Sequence, residues 1–526
     1  MAVYDFGVTK VEFSGLRLHR SHAQGYLCDG MTKGIDMLVG RRWVLGGLLA
    51  GAALPAWAEA PAVSLRPKAR VIKPTGAAAL VEAAKLTGVV GYCVADLATG
   101  RVLESFGEAQ TMPPASVTKS VTTAFALEKL GIEHRFVTRV MRTGAVVNGR
   151  LDGDLILAGG GDPTFDTDKM GDLVAALAAS GLRKVTGKFV AYAGALPERV
   201  EISGDQPDFV GYNPAISGLM LNFNRVNFVW KAVNDGYSLA MNAEGARFVP
   251  PVSMARVQVV DRDVPVFAYE AGTAGDNWTV ARGALGREGS RWLPVRHAAA
   301  YAAEVFQTLC AAQGIKLPNA EVVYTLPAAA EIVRHESEVL PDLLRKMMRF
   351  STNLTAEAVG LAASGAGTLE GSAAVMTTWA RRRFGVQAVF GDHSGLGPKS
   401  RISPSAMVQV MIAARRDKRL SMLHDLLKTV DLPSVDGKPA AKAAKSGSMA
   451  RVHAKSGTMN FVSNLSGYVD APGGRSLAFA IFTADVPRRA AVPVWNRESP
   501  EGDRAWVKRA HRLQGQLLHR WGKTYL

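Results

Sequence analysis

Pro113-Pro114-Ala115-Ser116-Val117-Thr118-Lys119 opens a helical pattern that runs to Leu130, and Gly131 stands where a helix C-terminal cap belongs. The spacing puts Ser116 at or just before the first turn and Lys119 one turn on, so the two side chains share a face. Unpaired N–H groups at a helix start favour an attacking alkoxide and a developing oxyanion. A serine hydroxyl is a weak nucleophile at neutral pH and needs a base. A lysine desolvated in a pocket, or set beside another cation, is neutral enough to serve. About one such Ser-x-x-Lys spacing arises by chance in a chain this long. Taken alone, the pair reads first as a surface helix with a solvated lysine.

Two further constellations follow. Ser351-Thr352-Asn353 falls between a helical pattern ending near Phe350 and another starting near Leu354. A short polar break between apolar helical runs suits a loop feeding a cleft. There Ser351 can relay a proton toward a leaving amine, and the Asn353 amide can bind a substrate carbonyl; a plain helix N-cap fits the same residues. Lys455-Ser456-Gly457-Thr458 lies on a strand pattern ahead of Asn464-Leu465-Ser466-Gly467-Tyr468-Val469. Gly457 lets backbone approach a ligand, the lysine and hydroxyls can hold a carboxylate, and the Thr458 N–H can face an oxyanion. A near copy, Lys445-Ser446-Gly447-Ser448, is passed over because the partner strand follows the later one.

The conjunction Ser-x-x-Lys, Ser-x-Asn, Lys-Ser-Gly, in that order, resembles the penicillin-recognising serine enzymes. More closely it resembles the D-alanyl-D-alanine carboxypeptidase/endopeptidase family, the class C low-molecular-mass penicillin-binding proteins. Further matches are Gly153-Asp154-Leu155 with Gly159-Gly160-Gly161-Asp162-Pro163, Leu221-Asn222-Phe223-Asn224 and Asp392-His393-Ser394-Gly395-Leu396. The likeness spans about residues 75 to 485, and the long interval from Ser116 to Ser351 is what that family's inserted domains would produce. Two departures stand out. The family usually has Lys-Thr-Gly where this chain has Lys455-Ser456-Gly457, which implies retained function with altered carboxylate or antibiotic affinity. His393 replaces a usual glycine, which puts the backbone of that loop in question.

The resemblance implies a transpeptidase-like α/β (α+β) catalytic domain, with an antiparallel sheet flanked by helices and a large, mostly β insertion. It implies an acyl-enzyme route in which Lys119 takes the Ser116 proton and Ser116 attacks the carbonyl of the penultimate D-alanine of a peptidoglycan peptide. The oxyanion then sits between the N–H groups of Ser116 and Thr458. Ser351, Lys119 and Lys455 return a proton to the amine, Asn353 positions substrate or Lys119, and Ser456 with Thr458 hold the terminal carboxylate. Carboxypeptidase and endopeptidase action both remain open, since each attacks the same kind of carbonyl. β-Lactams are implied as covalent inhibitors, and no metal or cofactor is implied.

Outward from these motifs, Val89 to Val94 and Arg101 to Ser105 read as paired strands, and a β-rich, Gly-rich zone occupies residues 138–292 with a hairpin tip at Asn148-Gly149. Helical periodicity resumes at Ala298 to Ala312, Leu340 to Met348, Ser372 to Arg383 and Pro404 to Arg415, the last capped by Ser403. Strands at Val452 to Met459, Val462 to Val469 and Ser476 to Phe482 precede a final amphipathic helix, Asp503 to Arg520. The expected organisation is therefore an extension and signal over 1–58, catalytic parts over 59–137 and 293–526, and the insertion over 138–292.

The apolar run Trp43 to Trp57 is short for a membrane span, follows Arg41-Arg42 and ends in Ala56-Trp57-Ala58. It predicts cleavage after Ala58 and a periplasmic protein, by a twin-arginine or an ordinary secretory route; residues 1–30 read as an over-extended start or else as unstructured. Net charge is +16, with the basic residues scattered. In an exported chain that favours anionic wall peptides or lipid head groups over nucleic acid, peripheral membrane contact included. Cys93 and Cys310 allow one bridge, though two buried thiols are the simpler state. A β-lactamase usually has its second motif much sooner after the first. A non-catalytic envelope binding protein would not need all of Ser116, Lys119, Ser351, Asn353 and Lys455. Gly-x-Ser-x-Gly and His-Glu-x-x-His are absent, and a lone histidine such as His453 reads as a strand residue.

Overall fold

The computed structural model describes residues 76–272, 275–431 and 450–526. The expected extension and signal, with Cys28, and the second Lys-Ser-Gly at 445–447 lie outside the described residues.

Three long strands near the C-terminus, Arg451–Met459, Val462–Asp470 and Ser476–Ala484, pair as consecutive hairpins. The last then pairs with Val89–Asp96, bringing the start of the catalytic body beside its end. Lys428–Asp431 and Val102–Phe106 form the edges of this six-stranded antiparallel sheet. Val462–Asp470 and Ser476–Ala484 are buried along almost their whole length, because helices cover both faces. On one face Leu513, Leu517 and Trp521 of the helix Asp503–Tyr525 pack on Val94, Leu465, Phe479 and Ile481. On the other, the helices Thr118–Leu130 and Pro404–Arg416 pack on Cys93, Ala480 and Phe482. Every residue from Thr118 to Leu127 is buried, so Lys119 stands in the core between helices and sheet and not on a solvated helix face.

The insertion is larger than residues 138–292 and less purely β. Its five-stranded sheet runs in the order Ala320–Val323, Phe189–Tyr192, Leu155–Ala158, Val137–Arg142, Ala330–Glu336. The helices Thr167–Ala179 and Ala298–Ala312 pack on it through Met170, Val174, Tyr301 and Phe306. The helix Ala298–Ala312, expected in the second catalytic part, thus belongs with the insertion, and so does the strand that ends at Glu336. The pairing of Glu336 with Val137 that closes this sheet joins residues far apart in sequence, which no local pattern reveals. The missed helix Thr167–Ala179 does carry a local signal, since the Asp166 side chain accepts from Lys169 N at 2.9 Å as an N-cap. Three three-stranded sheets, centred on Arg225–Val233, Gly275–Ala281 and Arg150–Asp152, complete the insertion among the described residues. The expected hairpin at Asn148-Gly149 is present, with φ of 48° and 77° at its tip.

The insertion also leans on the catalytic body. Leu196, Ile202, Ile216 and Met220 pack against Leu354, Ala358, Leu361 and Leu396. Asp205 forms ion pairs with Arg489, at 2.6 Å, and with Arg497. Cys93 and Cys310 are buried free thiols, one in each part of the fold. No helix among the described residues is long and apolar enough to cross a membrane.

Candidate active site

Ser116 lies in a short 3-10 turn, Ala115–Val117, that leads into the helix Thr118–Leu130. Ala115 has a φ of 48° and tips the turn toward the strand Arg451–Met459. Gly457 permits that approach: a Cβ there would fall 2.6 Å from Pro114 O and 2.9 Å from Ser116 N. Asn464, directly opposite Gly457 in the sheet, donates from Nδ2 to Pro113 O at 2.7 Å and accepts from Thr483 N at 3.0 Å. The Pro-Pro entry is thereby fastened to the sheet, and the backbone N–H of Ser116 lies against the Gly457 segment. The edge strand Lys428–Asp431 pairs no farther than Ala454, so among the described residues the Lys455–Met459 stretch has no sheet partner on that side.

Lys119 is fully buried, and its ammonium donates to Ser116 Oγ at 3.0 Å, Asn353 Oδ1 at 2.7 Å and Ser394 O at 2.8 Å. Three donors meet three acceptors, so loss of one proton turns the Ser116 contact round: the hydroxyl donates and the lysine accepts. Burial pulls the Lys119 pKa down to about 7, against the opposing pull of Glu357 and Asp392. A solvated lysine would keep its proton, so this burial removes the reading of Ser-x-x-Lys as a surface helix with a solvated lysine.

Ser351 and Asn353 flank a break between two helices, as expected. Leu340–Phe350 ends with Ser351 in the left-handed region, φ 58°, and Asn353–Ser364 begins two residues on. Asn353 does not cap the helix. Its Oδ1 accepts from Lys119 and its Nδ2 donates to Tyr212 O at 2.9 Å. Ser351 Oγ accepts from Lys455 Nζ at 3.0 Å, and the same ammonium donates to Ser456 O at 2.8 Å. Lys455 is also buried, and burial, with Lys119 and Lys428 nearby, holds its pKa well below the usual lysine range. The structure thus gathers Ser116, Lys119 and Asn353 in one bonded set and Ser351 with Lys455 in another, with Gly457 close to Ser116 N.

Sequence reasoning missed the groups behind Lys119. Glu357, fully buried, accepts from His393 N at 3.0 Å and Ser394 N at 2.8 Å, so it holds the loop whose Ser394 carbonyl binds Lys119. Burial, with Asp392 beside it, pushes the Glu357 carboxyl up to about 8. Asp392 accepts from Gly395 N and Gly397 N at 2.5 and 2.6 Å. The helical spacing of Asn353 and Glu357, one turn apart, was the available signal. Tyr212 carried none, since its main-chain oxygen reaches the site only through the fold of the insertion.

His393 settles the loop in question. Its backbone is not among the positive-φ residues, and the ring is fully buried in a slot over Gly360, where a Cβ would strike Cγ at 2.1 Å. Nε2 meets Ser372 Oγ at 2.6 Å, the ring stacks on Phe125, and burial lowers the imidazole pKa to about 3. It is a neutral packing residue that braces the Glu357-bound loop.

A profile of the D-Ala-D-Ala carboxypeptidase 3 (S13) family matches residues 77–497. The chain belongs to this family. It is therefore a serine peptidase of the penicillin-binding class that acts on peptidoglycan, and a β-lactamase or a non-catalytic binding protein is not favoured. The D-alanyl-D-alanine carboxypeptidase DacB of Haemophilus influenzae is 26% identical over 421 residues, covering 75% of this chain and 85% of that one. The D-alanyl-D-alanine carboxypeptidase of Actinomadura sp. (strain R39) is 29% identical over 430 residues, covering 77% and 79%. The crystal structure of penicillin binding protein 4 (dacB) from H. influenzae matches in fold with a TM-score of 0.67 at 20% identity, covering 85% of this chain and 100% of that one. A second structure of that protein is complexed with a novel β-lactam.

Proposed function

We propose that this family member hydrolyses the D-alanyl bond of peptidoglycan peptides through an acyl-enzyme on Ser116. The observation that carries the assignment is the buried Lys119 ammonium, bonded to the Ser116 hydroxyl and poised to titrate near neutrality. Neutral Lys119 takes the hydroxyl proton as Ser116 Oγ attacks the carbonyl of the penultimate D-alanine. The developing oxyanion is met by the N–H groups of Ser116 and Thr458, a role supported by the close approach of Gly457 to Ser116 N. As the C–N bond breaks, the proton held by Lys119 passes to the departing amine by way of Ser351, which accepts from Lys455, and Lys119 is neutral again. Asn353 keeps Lys119 aimed at Ser116, and Ser456 and Thr458 hold the terminal carboxylate beside the buried Lys455 side chain. Water, activated by Lys119, then hydrolyses the ester and restores the hydroxyl.

A β-lactam presents the same carbonyl in a ring, acylates Ser116 and leaves slowly, in keeping with the β-lactam complex of the H. influenzae relative. Export behind a signal ending at Ala58 places the working enzyme in the periplasm with its substrate. The assignment is tested by mass measurement of the purified protein after benzylpenicillin. One stable adduct on the Ser116 peptide, lost in Ser116→Ala while the thermal unfolding transition is kept, supports it. Labelling that survives in Ser116→Ala moves the nucleophile elsewhere, and penicillin consumed without adduct restores the lactamase reading.

A further inference from the structure

Outside the cleft, three donor side chains converge on one point. His453 lies on the Lys455 strand two residues before the lysine, hence on the same face. Asp470 ends the neighbouring strand, and His424 lies in the short helix Leu423–Leu426 just ahead of the edge strand Lys428–Asp431. One ligand atom from each lies within 4.8 Å of the others. Asp470 Oδ2 is 2.7 Å from His424 Nε2 and 3.5 Å from His453 Nε2, and the two rings are 4.2 Å apart. The three side chains are only 12%, 15% and 27% exposed.

The far nitrogens of both rings are held as well. His424 Nδ1 bonds Asp425 Oδ1 at 2.7 Å, and His453 Nδ1 bonds Thr429 Oγ1 at 3.0 Å. Each imidazole is therefore fixed with Nε2 turned inward, which is how outer partners orient metal-binding histidines. A hydrogen bond accounts for His424 with Asp470, but 3.5 Å is too long for a good one from His453 to the same oxygen. The carboxylates of Asp425 and Asp470 offset the nearby guanidiniums of Arg415 and Arg451.

We propose that His424, His453 and Asp470 bind one divalent transition-metal ion of the zinc class, with water completing the coordination. Tetrahedral zinc with nitrogen and oxygen ligands at about 2.0–2.1 Å separates those ligands by about 3.3 Å. The 2.7 and 3.5 Å nitrogen–oxygen separations bracket that value, and loading replaces whatever proton His424 and Asp470 share. Two imidazoles and one carboxylate suit zinc and its neighbours in the first transition row; magnesium and calcium prefer all-oxygen sets. The ion takes no part in peptide-bond cleavage. It ties the lead-in of the edge strand, the Lys455 strand and the neighbouring strand into one unit, and so stiffens the edge of the sheet that carries Lys455.

The test is a titration of the chelator-stripped protein with zinc chloride, followed by native mass spectrometry and thermal unfolding. One zinc per chain and a rise in Tm are expected with zinc, and neither with magnesium or calcium. His424→Ala should lose both responses while keeping the metal-free Tm and the penicillin labelling of Ser116; if it does not fold, Asp470→Asn serves in its place. Asp425→Asn should bind zinc about 10–100-fold more weakly. Absence of stoichiometric zinc at millimolar concentration, or unchanged zinc binding in the ligand variant, would overturn the site and leave only a hydrogen-bonded triad.

Discussion

Acidification should switch the enzyme off through Lys119, and the structure sets the size of the effect. An ordinary lysine has a pKa of 10.5, whereas burial brings Lys119 to about 7. At pH 7 about half of Lys119 is then neutral, against roughly one part in three thousand for an ordinary lysine. The neutral form is the base, so the rate must rise with pH and level off above the pKa. From pH 8 to pH 5 the neutral fraction falls to about one hundredth, and the acylation rate should fall with it. The inflection belongs to Lys119, Glu357 and Asp392 together. Glu357 ionises on the alkaline side, from about 8, and its charge then favours protonated Lys119, so the upper limb should be broader than a single titration. The assay is the second-order rate constant for labelling by a fluorescent penicillin between pH 5 and 9. The drug's carboxylate stays ionised throughout, because free carboxyls titrate at about 3.3–3.7. Lys119→Arg keeps the charge but cannot release its proton; it should lose at least about three orders of magnitude and the inflection as well. A level profile from pH 8 to 5, or an arginine variant within tenfold of the parent, would refute the role of Lys119 as base.

Gly360→Ala should cost about 1–3 kcal/mol, because its Cβ overlaps the His393 ring. In a His393→Ala background the same change should cost nothing and show instead alanine's helix preference of about 1 kcal/mol; additive urea-unfolding energies across the four proteins would show that the ring does not occupy that slot. Asp205→Ala removes the carboxylate shared by Arg489 and Arg497, whose side chains are each 8% exposed, and should cost about 3–5 kcal/mol. A Tm unchanged by that substitution would mean the insertion is not fastened to the C-terminal segment through this pair.

Much of the catalytic body was legible because its signals are local. Gly131 ends the helix that carries Lys119, and Ser403 caps the helix Pro404–Arg416 by accepting from Ala406 N. Asn148-Gly149 turns a hairpin, and three strand patterns become the last three strands of the main sheet. The insertion was read less well. Its sheet is closed by the pairing of Val137–Arg142 with Ala330–Glu336, and the Ala-rich helix Ala298–Ala312 reads alike whichever body it packs on.

For the site, the sequence by itself determined which chemical groups exist and which near neighbours share a face: Ser116 with Lys119, and the Lys-Ser-Gly strand beside Asn464. Such relations follow from the 3.6-residue helix and the two-residue strand repeat. The tertiary structure alone decided that Lys119 is buried against the Ser116 hydroxyl with a lowered pKa, the state that the proposed base requires. Its pKa depends on exclusion of water, opposed by Glu357 and Asp392, both more than 200 residues away along the chain. It also decided that His393 fits without a glycine's backbone freedom, because a glycine elsewhere, Gly360, leaves the room its ring requires. Covalent sequence sets local geometry, whereas desolvation and packing are properties of what lies across the gap, and only the folded chain supplies them.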